Sequence, residues 1–381
     1  MPLALSDQGC AALIALLEQL QPETQTTTID WQLPKPNHFL SAVSDGADGA
    51  VYLRWQLQCS QPALWQRFEH SLRPLVSDAK QAGADLAFTA YGNYWQLKLS
   101  GITAPMPAIL EHAFALLNRP EAEPQNAPNP EPPLIPIRQL LKVLPDRYLD
   151  AEADAEITDL PRFWASTRWI SFISGSLNCD SVLTKTPGEK APPPSPPKML
   201  PIGKHWRAEP SDAAESAVLL FCPAPTSSIA DEAAWRLLAQ LAQGPFYQRL
   251  RVELQLGYAV FSGLRQIAGQ AGLLFGVQSP SASAQQLAEH IEAFLISLKD
   301  FVSETDLGAQ TTALIAQLDV GAMENASAAE LLWQGHMAGR DADYLPSLRE
   351  ALRQIRHGDL ANAVNRLNKA AGGWLCLANT P

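Results

Sequence analysis

A pattern of strand, helix, hairpin and helix occurs twice in this sequence, and no other feature limits the possible folds as much. The first copy begins with a run in which apolar residues alternate with more polar ones, namely Val51, Leu53, Trp55 and Leu57. This period of two is typical of a half-buried strand. The second copy begins with the apolar run from Ala217 to Cys222, which is short enough for a buried strand. Gly83 and Gly257 hold corresponding positions before the two hairpins.

In each copy an amphipathic helix follows the first strand. In the first copy, apolar residues recur three and four positions apart, at Leu64, Phe68, Leu72, Leu75 and Ala79. A kink is expected at Pro74, because proline cannot donate to the preceding turn. In the second copy the helix is predicted from Asp231 to Gln243, and Gly244 and Pro245 should end it. A second short helix should then lead to Gly257.

Two hairpins and further helices complete the copies. The hairpin strands are predicted at Asp85 to Ala90 with Tyr94 to Ser100, and at Tyr258 to Ser262 with Leu273 to Val277. Helices follow from about Pro107 to Leu117 and from Ala282 to Leu298, and final strands at Arg168 to Ile173 and Gly373 to Leu377. This order predicts the α+β class, with two homologous domains that each contain an antiparallel-rich sheet covered by helices.

Proline-rich stretches indicate where the domains meet. The chain of 381 residues is longer than one hydrophobic core usually organises. Fourteen of the 31 prolines lie in two stretches, Arg119 to Pro136 and Pro187 to Pro201, and proline favours extended connections. The second stretch nearly bisects the chain, whereas the first is expected to be a loop within a domain. We therefore predict a linker helix in 1–29, a first domain in 30–186, a proline-rich linker in 187–201 and a second domain in 202–381.

Composition and charge exclude several classes of protein. A net charge of -11 would repel phosphate backbones, so no nucleic-acid partner is expected. No window approaches the roughly eighteen continuous apolar residues of a membrane-spanning helix, and the stretch from Met1 to Gln21 lacks the basic start of a signal peptide. We expect a packed helix there and no membrane partner. The five cysteines show no C-x-x-C spacing, which favours a reducing cytoplasm.

None of the seven histidines has the spacing of a metal site. Glutamate precedes histidine at Glu69, Glu111 and Glu289, but the position three before each glutamate is not histidine. The motif H-x-x-E-H, which places two imidazoles and a glutamate on one helical face to bind zinc and activate water, is therefore missing. Each pair lies on an amphipathic helix, where a solvated polar face is the simpler interpretation. We predict no metal ligand in this chain.

The segment from Gly244 to Gly263 is the most informative about function. Arg251 lies near a predicted helix end and Tyr258 at the start of the next strand, so a cation and a phenol could point into one cleft. Guanidinium and phenol donors suit peptide carbonyls or a developing oxyanion. The alternative interpretation is a surface arginine with a tyrosine packed at a strand start, and the residues alone do not decide between the two.

The motif R-x-E-x-Q-L-G-Y-x-V-F, from Arg251 to Phe261, closely resembles a signature in the fourth domain of the pitrilysin and insulin-degrading enzyme family. The resemblance extends further. The sequence WQLPKPNHF (Trp31 to Phe39) is similar to the start of the third domain of this family, and the stretch from Val51 to Leu117 follows that domain element by element. Leu273 to Leu298 continues the fourth domain.

The resemblance implies a role for each residue that matches the motif. Arg251 would bind the substrate backbone, and Tyr258 would hydrogen-bond the scissile carbonyl and its tetrahedral intermediate as an auxiliary catalytic residue. Phe246 and Tyr247 would line the adjoining pocket. Family enzymes consist of two halves that close around a chamber, and the first half carries H-x-x-E-H with zinc. The second half completes the substrate site.

The present chain resembles the second of these halves, because Leu5 to Pro22 is similar to the tail of the second family domain. We therefore expect no cofactor in this chain and zinc in an N-terminal half or partner subunit, so that the chain cannot cleave peptides by itself. Its Ala-, Gln- and Pro-rich style resembles the bacterial family members associated with the peptide precursor of pyrroloquinoline quinone (PQQ). A peptide substrate, with this precursor as the candidate, is thus the expected partner.

Two other functions remain open from the sequence. The missing zinc motif also fits a stand-alone, non-catalytic subunit that binds peptides and pairs with a catalytic subunit, as some members of the superfamily do. An unrelated peptide-binding module is the third and most distant alternative. One reading frame that continues upstream and encodes H-x-x-E-H would exclude the stand-alone subunit.

Overall fold

The computed structural model describes residues 48–120, 134–150, 159–192, 194 and 199–380. All of them belong to one compact unit. The helix predicted for Met1 to Gln21 and the stretch Trp31 to Phe39 lie outside the described residues, so those two predictions are not tested.

The first sheet contains five strands, and the first copy of the sequence pattern supplies four of them. These strands are β1 (Asp48–Gln56), β2 (Ala84–Tyr91), β3 (Tyr94–Ile102), β4 (Arg168–Gly175) and β5 (Glu189–Lys190), in the order β2-β3-β1-β4-β5. In the antiparallel core of the sheet, Leu53 of β1 lies opposite Leu97 of β3 and Ser171 of β4. The short strand β5 adds to the edge in parallel with β4.

The helices of the first half are α1 (Pro62–Gln81), α2 (Met106–Asn118), α3 (Pro136–Leu149), α4 (Leu160–Ser166) and α5 (Asp180–Leu183). The apolar positions predicted to form one face of α1 are all buried, and Pro74 lies inside this helix. Phe68 packs against Trp95 of β3 and Trp164 of α4, with ring centroids 5.5 and 5.7 Å apart. Aromatic rings of this size bury much apolar area and stabilise the first half.

The second sheet repeats the strand order of the first. Its strands are β6 (Lys204–Ala208), β7 (Ser216–Pro223), β8 (Ala259–Ile267), β9 (Gln270–Ser279) and β10 (Trp374–Ala378), in the order β6-β10-β7-β9-β8. In both sheets the hairpin lies at one edge, the first long strand is central and the last long strand follows. The far edge strand is again parallel, here β6 with β10. The predicted α+β class is confirmed.

The helices of the second half are α6 (Ile229–Tyr247), α7 (Ala284–Glu304), α8 (Leu307–Gln317), α9 (Asn325–Met337), α10 (Tyr344–Gln354) and α11 (His357–Asn368), with a π-helical turn at Gln248–Glu253 and a 3-10 turn at Val320–Ala322. The predicted end of the helix at Gly244 and Pro245 is wrong, because α6 continues to Tyr247. Phe246 is fully buried, and this burial outweighs the donor that Pro245 lacks. In the described part of the chain, no helix is both long and apolar enough to cross a membrane.

The two halves exchange helices. Helix α3 from the first half packs on the second sheet, where Ile137, Leu140 and Leu144 join one apolar cluster with residues of β7 and β10. In return, α9 packs on β1 and β4. Its Trp333 stacks on Tyr52, with ring centroids 5.2 Å apart.

This exchange corrects the prediction of a half-buried first strand. Tyr52 and Arg54, which alternate with the apolar residues of β1, are also buried. The reason is that α9 covers the face of the sheet that the sequence pattern leaves to water. The Tyr52 hydroxyl donates to Glu330 of α9 at 2.9 Å, so the polar atom on the covered face has a partner.

Candidate active-site corner

The segment between α6 and β8 forms a corner that holds the motif residues. Directly after α6 the chain widens into the π-helical turn, and Gln255 then adopts a positive φ of 51° before β8 begins at Ala259. A π-helical turn is rare and often lies at functional sites. The corner, defined as residues 248–258, carries Arg251 near its start and Tyr258 at its end.

Arg251 is bound to the peptide that precedes Tyr258. Its side chain is half-buried, and Nη1 donates to the Gly257 carbonyl oxygen at 2.5 Å. This bond fixes the direction of the planar guanidinium group while its other N–H groups remain available as donors. The structure thus brings the predicted cation to the backbone beside the predicted phenol.

Gly257 is required at this point because the backbone passes directly over β9. A Cβ atom added to Gly257 would lie 1.9 Å from the Gln278 carbonyl oxygen, and real Cβ atoms do not approach backbone atoms so closely. Only glycine allows this approach. The path of the chain between Arg251 and Tyr258 therefore depends on a residue without a side chain.

The hydroxyl of Tyr258 is held by Gln278 although the ring is 51% exposed. Gln278 Nε2 donates to Tyr258 Oη at 2.7 Å and to Glu215 Oε2 at 2.5 Å. The Gln278 Oε1 atom accepts from the backbone N–H of Ile137 at 3.0 Å. Since Gln278 is only 1% exposed and uses both ends of its amide, it is a rigid support for the phenol.

Electrostatics keep the phenol protonated. Partial desolvation, together with the negative charge of Glu215 and a hydrogen bond to it, raises the pKa of Tyr258 above its ordinary value. The group is therefore neutral at physiological pH and acts as an O–H donor. A neutral phenol can donate to a carbonyl oxygen and to the negative charge that develops on it.

The two aromatic residues predicted to line the pocket have different environments. Tyr247 is 50% exposed and lies where α6 meets the corner. Phe246 is fully buried, and its ring packs edge to face on Phe275 and Phe294, each with centroids 5.1 Å apart. This burial does not support a pocket-lining role for Phe246, because the ring supports the corner from inside the core. Val252, at 48% exposure, is an exposed aliphatic residue of the corner that the sequence analysis did not single out.

The chemistry of the described side chains does not fit a zinc site. Within the described ranges, no group of three or more His, Cys, Asp or Glu side chains could hold a metal ion. The three glutamates that precede histidines have other partners: Glu69 accepts from Arg73, Glu111 pairs with Lys185 and Glu289 accepts from Gln285. No step is therefore assigned to a metal bound by this chain.

Sequence reasoning also missed Gln278 and Glu215. Gln278 stands at the end of the apolar run of β9, where a buried amide needs hydrogen-bond partners, and this was the one available signal. Glu215 precedes β7, and the adjacent sequence does not indicate that it contacts Tyr258. Their contact with Tyr258 follows from the register, which pairs Gln278 with Ala259 of β8 and with Ala217 of β7.

Two family models match the two halves of the chain. The model described as PQQ synthase PqqF, C-terminal lobe domain 3, matches residues 48–173, which contain β1 to β3 and most of β4. The model described as PQQ synthase PqqF-like, C-terminal lobe domain 4, matches residues 237–333, which contain the corner. The two matches thus follow the two copies of the sequence pattern.

Curated relatives are described as coenzyme PQQ synthesis protein F. The chain is 47% identical to coenzyme PQQ synthesis protein F of Pseudomonas syringae pv. tomato, over all of this chain and 51% of that protein. It is 39% identical to the protein of the same name from Pseudomonas protegens, over 99% of this chain and 52% of that protein. The chain therefore spans about half the length of these curated relatives.

Solved structures have the same fold. Pitrilysin superposes on 91% of this chain with a TM-score of 0.65 and 16% identity, using 42% of its own length. An inactive domain of a peptidase of the M16 group from Pseudomonas fluorescens superposes with a TM-score of 0.60 and 12% identity, over 89% of this chain and 94% of that one. Taken with the matched models and relatives, these findings show that the chain belongs to the pitrilysin family and corresponds to the C-terminal lobe of its PQQ-synthesis-protein-F members.

Proposed function

We propose that this chain is the substrate-binding half of a zinc metalloendopeptidase that processes the peptide precursor in PQQ biosynthesis. In this proposal the chain closes a cleavage chamber over an N-terminal half that binds the zinc. The names of the relatives and the share of their length that the chain spans support it. A cytoplasmic location is part of the proposal, and it is supported by three buried cysteines that are free thiols within the described residues, Cys179, Cys222 and Cys376.

The observation that carries the proposal is the corner, where Arg251 donates to the carbonyl of Gly257, the residue before Tyr258, and Gln278 holds the Tyr258 hydroxyl. The Glu215 carboxylate is a hydrogen-bond acceptor for the phenol. A substrate carbonyl would take over this hydrogen bond, and the bond would strengthen as the oxygen becomes negative. The free N–H groups of Arg251 would bind neighbouring peptide carbonyls and align the chain.

The test combines the chain with the zinc-bearing N-terminal half of a full-length relative and follows cleavage of a PQQ-precursor peptide. We expect cleavage only with both halves present. The substitution Tyr258→Phe should lower kcat by about a hundredfold, as the loss of one oxyanion donor does in other enzymes. Tyr94→Phe removes a phenol from the first sheet and should leave the rate unchanged. Full activity of Tyr258→Phe would contradict the role proposed for the corner.

The second candidate function is a non-catalytic, peptide-binding subunit that pairs with a separate catalytic subunit. The observation that favours it is the inactive M16 domain, which has a similar fold and is covered over 94% of its length by this chain. The same mixing experiment separates the two candidates. If the chain binds the precursor peptide and Tyr258→Phe leaves both binding and the partner's cleavage rate unchanged, the non-catalytic function is correct.

A further inference from the structure

We propose that a groove beside the corner is a second peptide-binding site, which takes a cationic segment with a lysine or arginine next to a large apolar side chain. The groove lies between the π-helical turn and the C-terminal part of α7. It contains neither Arg251 nor Tyr258, so the proposal goes beyond the function proposed above and does not depend on it.

The size of the groove suits a ligand. Its volume is about 770 Å³, within the range of roughly 300 to 1,000 Å³ that is typical of ligand sites. Leu254, Phe294 and Phe301 form its apolar surface. Phe301 is 40% exposed and packs on Phe294 with ring centroids 6.3 Å apart. An exposed aromatic ring in a concave surface favours contact with an apolar side chain.

The charges around the groove favour a positively charged ligand. Three carboxylates line it, those of Glu253, Asp300 and Glu304. Arg249 is the only lysine or arginine that the lining contains among the described residues, and it is paired with Glu253 at 2.7 Å. Asp300 and Glu304 therefore have no cation opposite them in the groove. A cationic side chain would complement these two carboxylates, whereas an anionic ligand would be repelled.

The groove and the corner share one structural element. Arg249 and Glu253 face the groove, while Arg251 between them binds the Gly257 carbonyl. The π-helical turn thus contributes residues both to the groove and to the site of Arg251. A peptide held in the groove would lie next to the turn that positions Arg251.

The test measures binding to the whole chain without the zinc-bearing half, by fluorescence anisotropy. The probe is a fluorescein-labelled octapeptide of glycine and serine that carries two lysines beside one phenylalanine. A second probe has glutamates in place of the lysines. We expect the lysine probe to bind at physiological salt and the glutamate probe not to bind. Because salt screens long-range attraction, binding that persists there requires local contacts.

Two variants remove the groove's proposed contacts. The double substitution Asp300→Asn with Glu304→Gln should weaken binding of the lysine probe about tenfold. Ala293→Trp fills the apolar surface without a change of charge and should weaken binding by a similar factor. The matched control is Glu289→Gln with Glu350→Gln, which removes two exposed carboxylates outside the groove and should leave binding unchanged. Circular dichroism checks that each variant is folded.

Each opposite result would overturn the proposal. Equal weakening in the groove and control variants would mean attraction to the net charge of -11. Unchanged binding in Ala293→Trp would place the probe elsewhere. If Arg251→Ala or Tyr258→Phe abolished binding while the groove variants kept it, the peptide would bind at the corner alone. Weakened binding of the lysine probe in both groove variants, with unchanged binding in the control variant, is the expected result.

Discussion

The two sheets have the same strand order, yet the connection between the first helix and the hairpin differs between them. In the first half, α1 ends at Gln81 and β2 starts at Ala84. In the second half, α6 ends at Tyr247 and β8 starts only at Ala259. The additional residues are the corner, with the π-helical turn, Arg251 and Tyr258. The shared elements therefore build the frame, and the residues that one copy has in addition carry the candidate chemistry.

The corresponding glycines show the same difference at the level of one atom. Gly83 follows α1 with a φ of +81°, and an added Cβ would meet the flexible side chain of Ile102 at 2.5 Å. Gly257 would instead meet the Gln278 carbonyl oxygen, a backbone atom, at 1.9 Å. The first glycine is needed for a helix-ending conformation, and the second for close approach of two backbone segments.

The largest expected effect on stability tests this contrast between the glycines. Gly257→Ala should lower the free energy of unfolding by about 3 kcal/mol, because the β9 backbone has to move. Gly83→Ala should cost about 1 to 2 kcal/mol, from the positive φ alone, since the Ile102 side chain can move. Urea denaturation of both variants measures the difference. If Gly83→Ala proved to be the more damaging change, the two glycines would not have the roles described here.

The next largest effect is a pH dependence of stability that arises where α9 packs on the first sheet. His336 of α9 is buried, and this burial, with the nearby positive charge of Arg54, lowers its pKa to about 4. In the unfolded chain the pKa is ordinary, about 6.5, so the unfolded state binds a proton more readily between these two values. The stabilisation is present above about pH 6.5 and is lost as the pH falls towards 4, by up to about 3 kcal/mol.

Unfolding measured by urea between pH 7 and pH 4 checks this dependence in the wild type and in His336→Gln. The variant should lose most of the slope, since residue 336 no longer titrates. Arg54, Lys98 and Glu330, which carry charge near this face, are the same in both proteins. The same slope in both proteins would show that the acid sensitivity arises elsewhere.

A smaller effect is expected from the hydrogen bond that the buried Tyr52 donates to Glu330. Tyr52→Phe removes the donor to Glu330 but keeps the ring that stacks on Trp333. Glu330 also accepts from Lys98 at 3.3 Å, so its carboxylate keeps a partner. We expect a loss of about 1 kcal/mol in the free energy of unfolding. Tyr94→Phe, in the neighbouring strand, is the matched control, and a loss near 3 kcal/mol for Tyr52→Phe would mean that the network is worth more than one hydrogen bond.

The sequence predicts the parts of this fold that depend on neighbouring residues. The buried face of α1, both hairpins and the final strands follow from periodicity and turn residues, and the structure confirms them. The sequence of Arg251 to Phe261 also predicted an arginine near a helix end and a tyrosine at a strand start, and Arg251 contacts the backbone of Gly257, next to Tyr258.

The parts that the sequence does not predict depend on distant residues. Tyr52 and Arg54 are polar at alternate positions, and only the arrival of α9 explains their burial. Phe246 was predicted to line a pocket, but its ring packs against the rings of Phe275 and Phe294 in the core. Gln278 reaches Tyr258 through strand register, which periodicity alone leaves undefined. Support for a site thus comes from contacts that local patterns do not contain.

The smallest expected change is local to the corner and leaves stability nearly untouched. Glu215→Gln removes the negative charge that, after partial desolvation, raises the pKa of Tyr258. The pKa of Tyr258 should therefore fall towards its ordinary value, because the phenolate no longer faces a carboxylate. NMR of the chain with ¹³C-labelled tyrosine follows the titration, and Tyr258→Phe identifies the resonance. Glu209→Gln, which removes the partner of Arg147, is the control and should leave this pKa unchanged. An unchanged Tyr258 titration in Glu215→Gln would mean that the carboxylate does not act on the phenol, and the support that distinguishes the second half from the first would then rest on Gln278 alone.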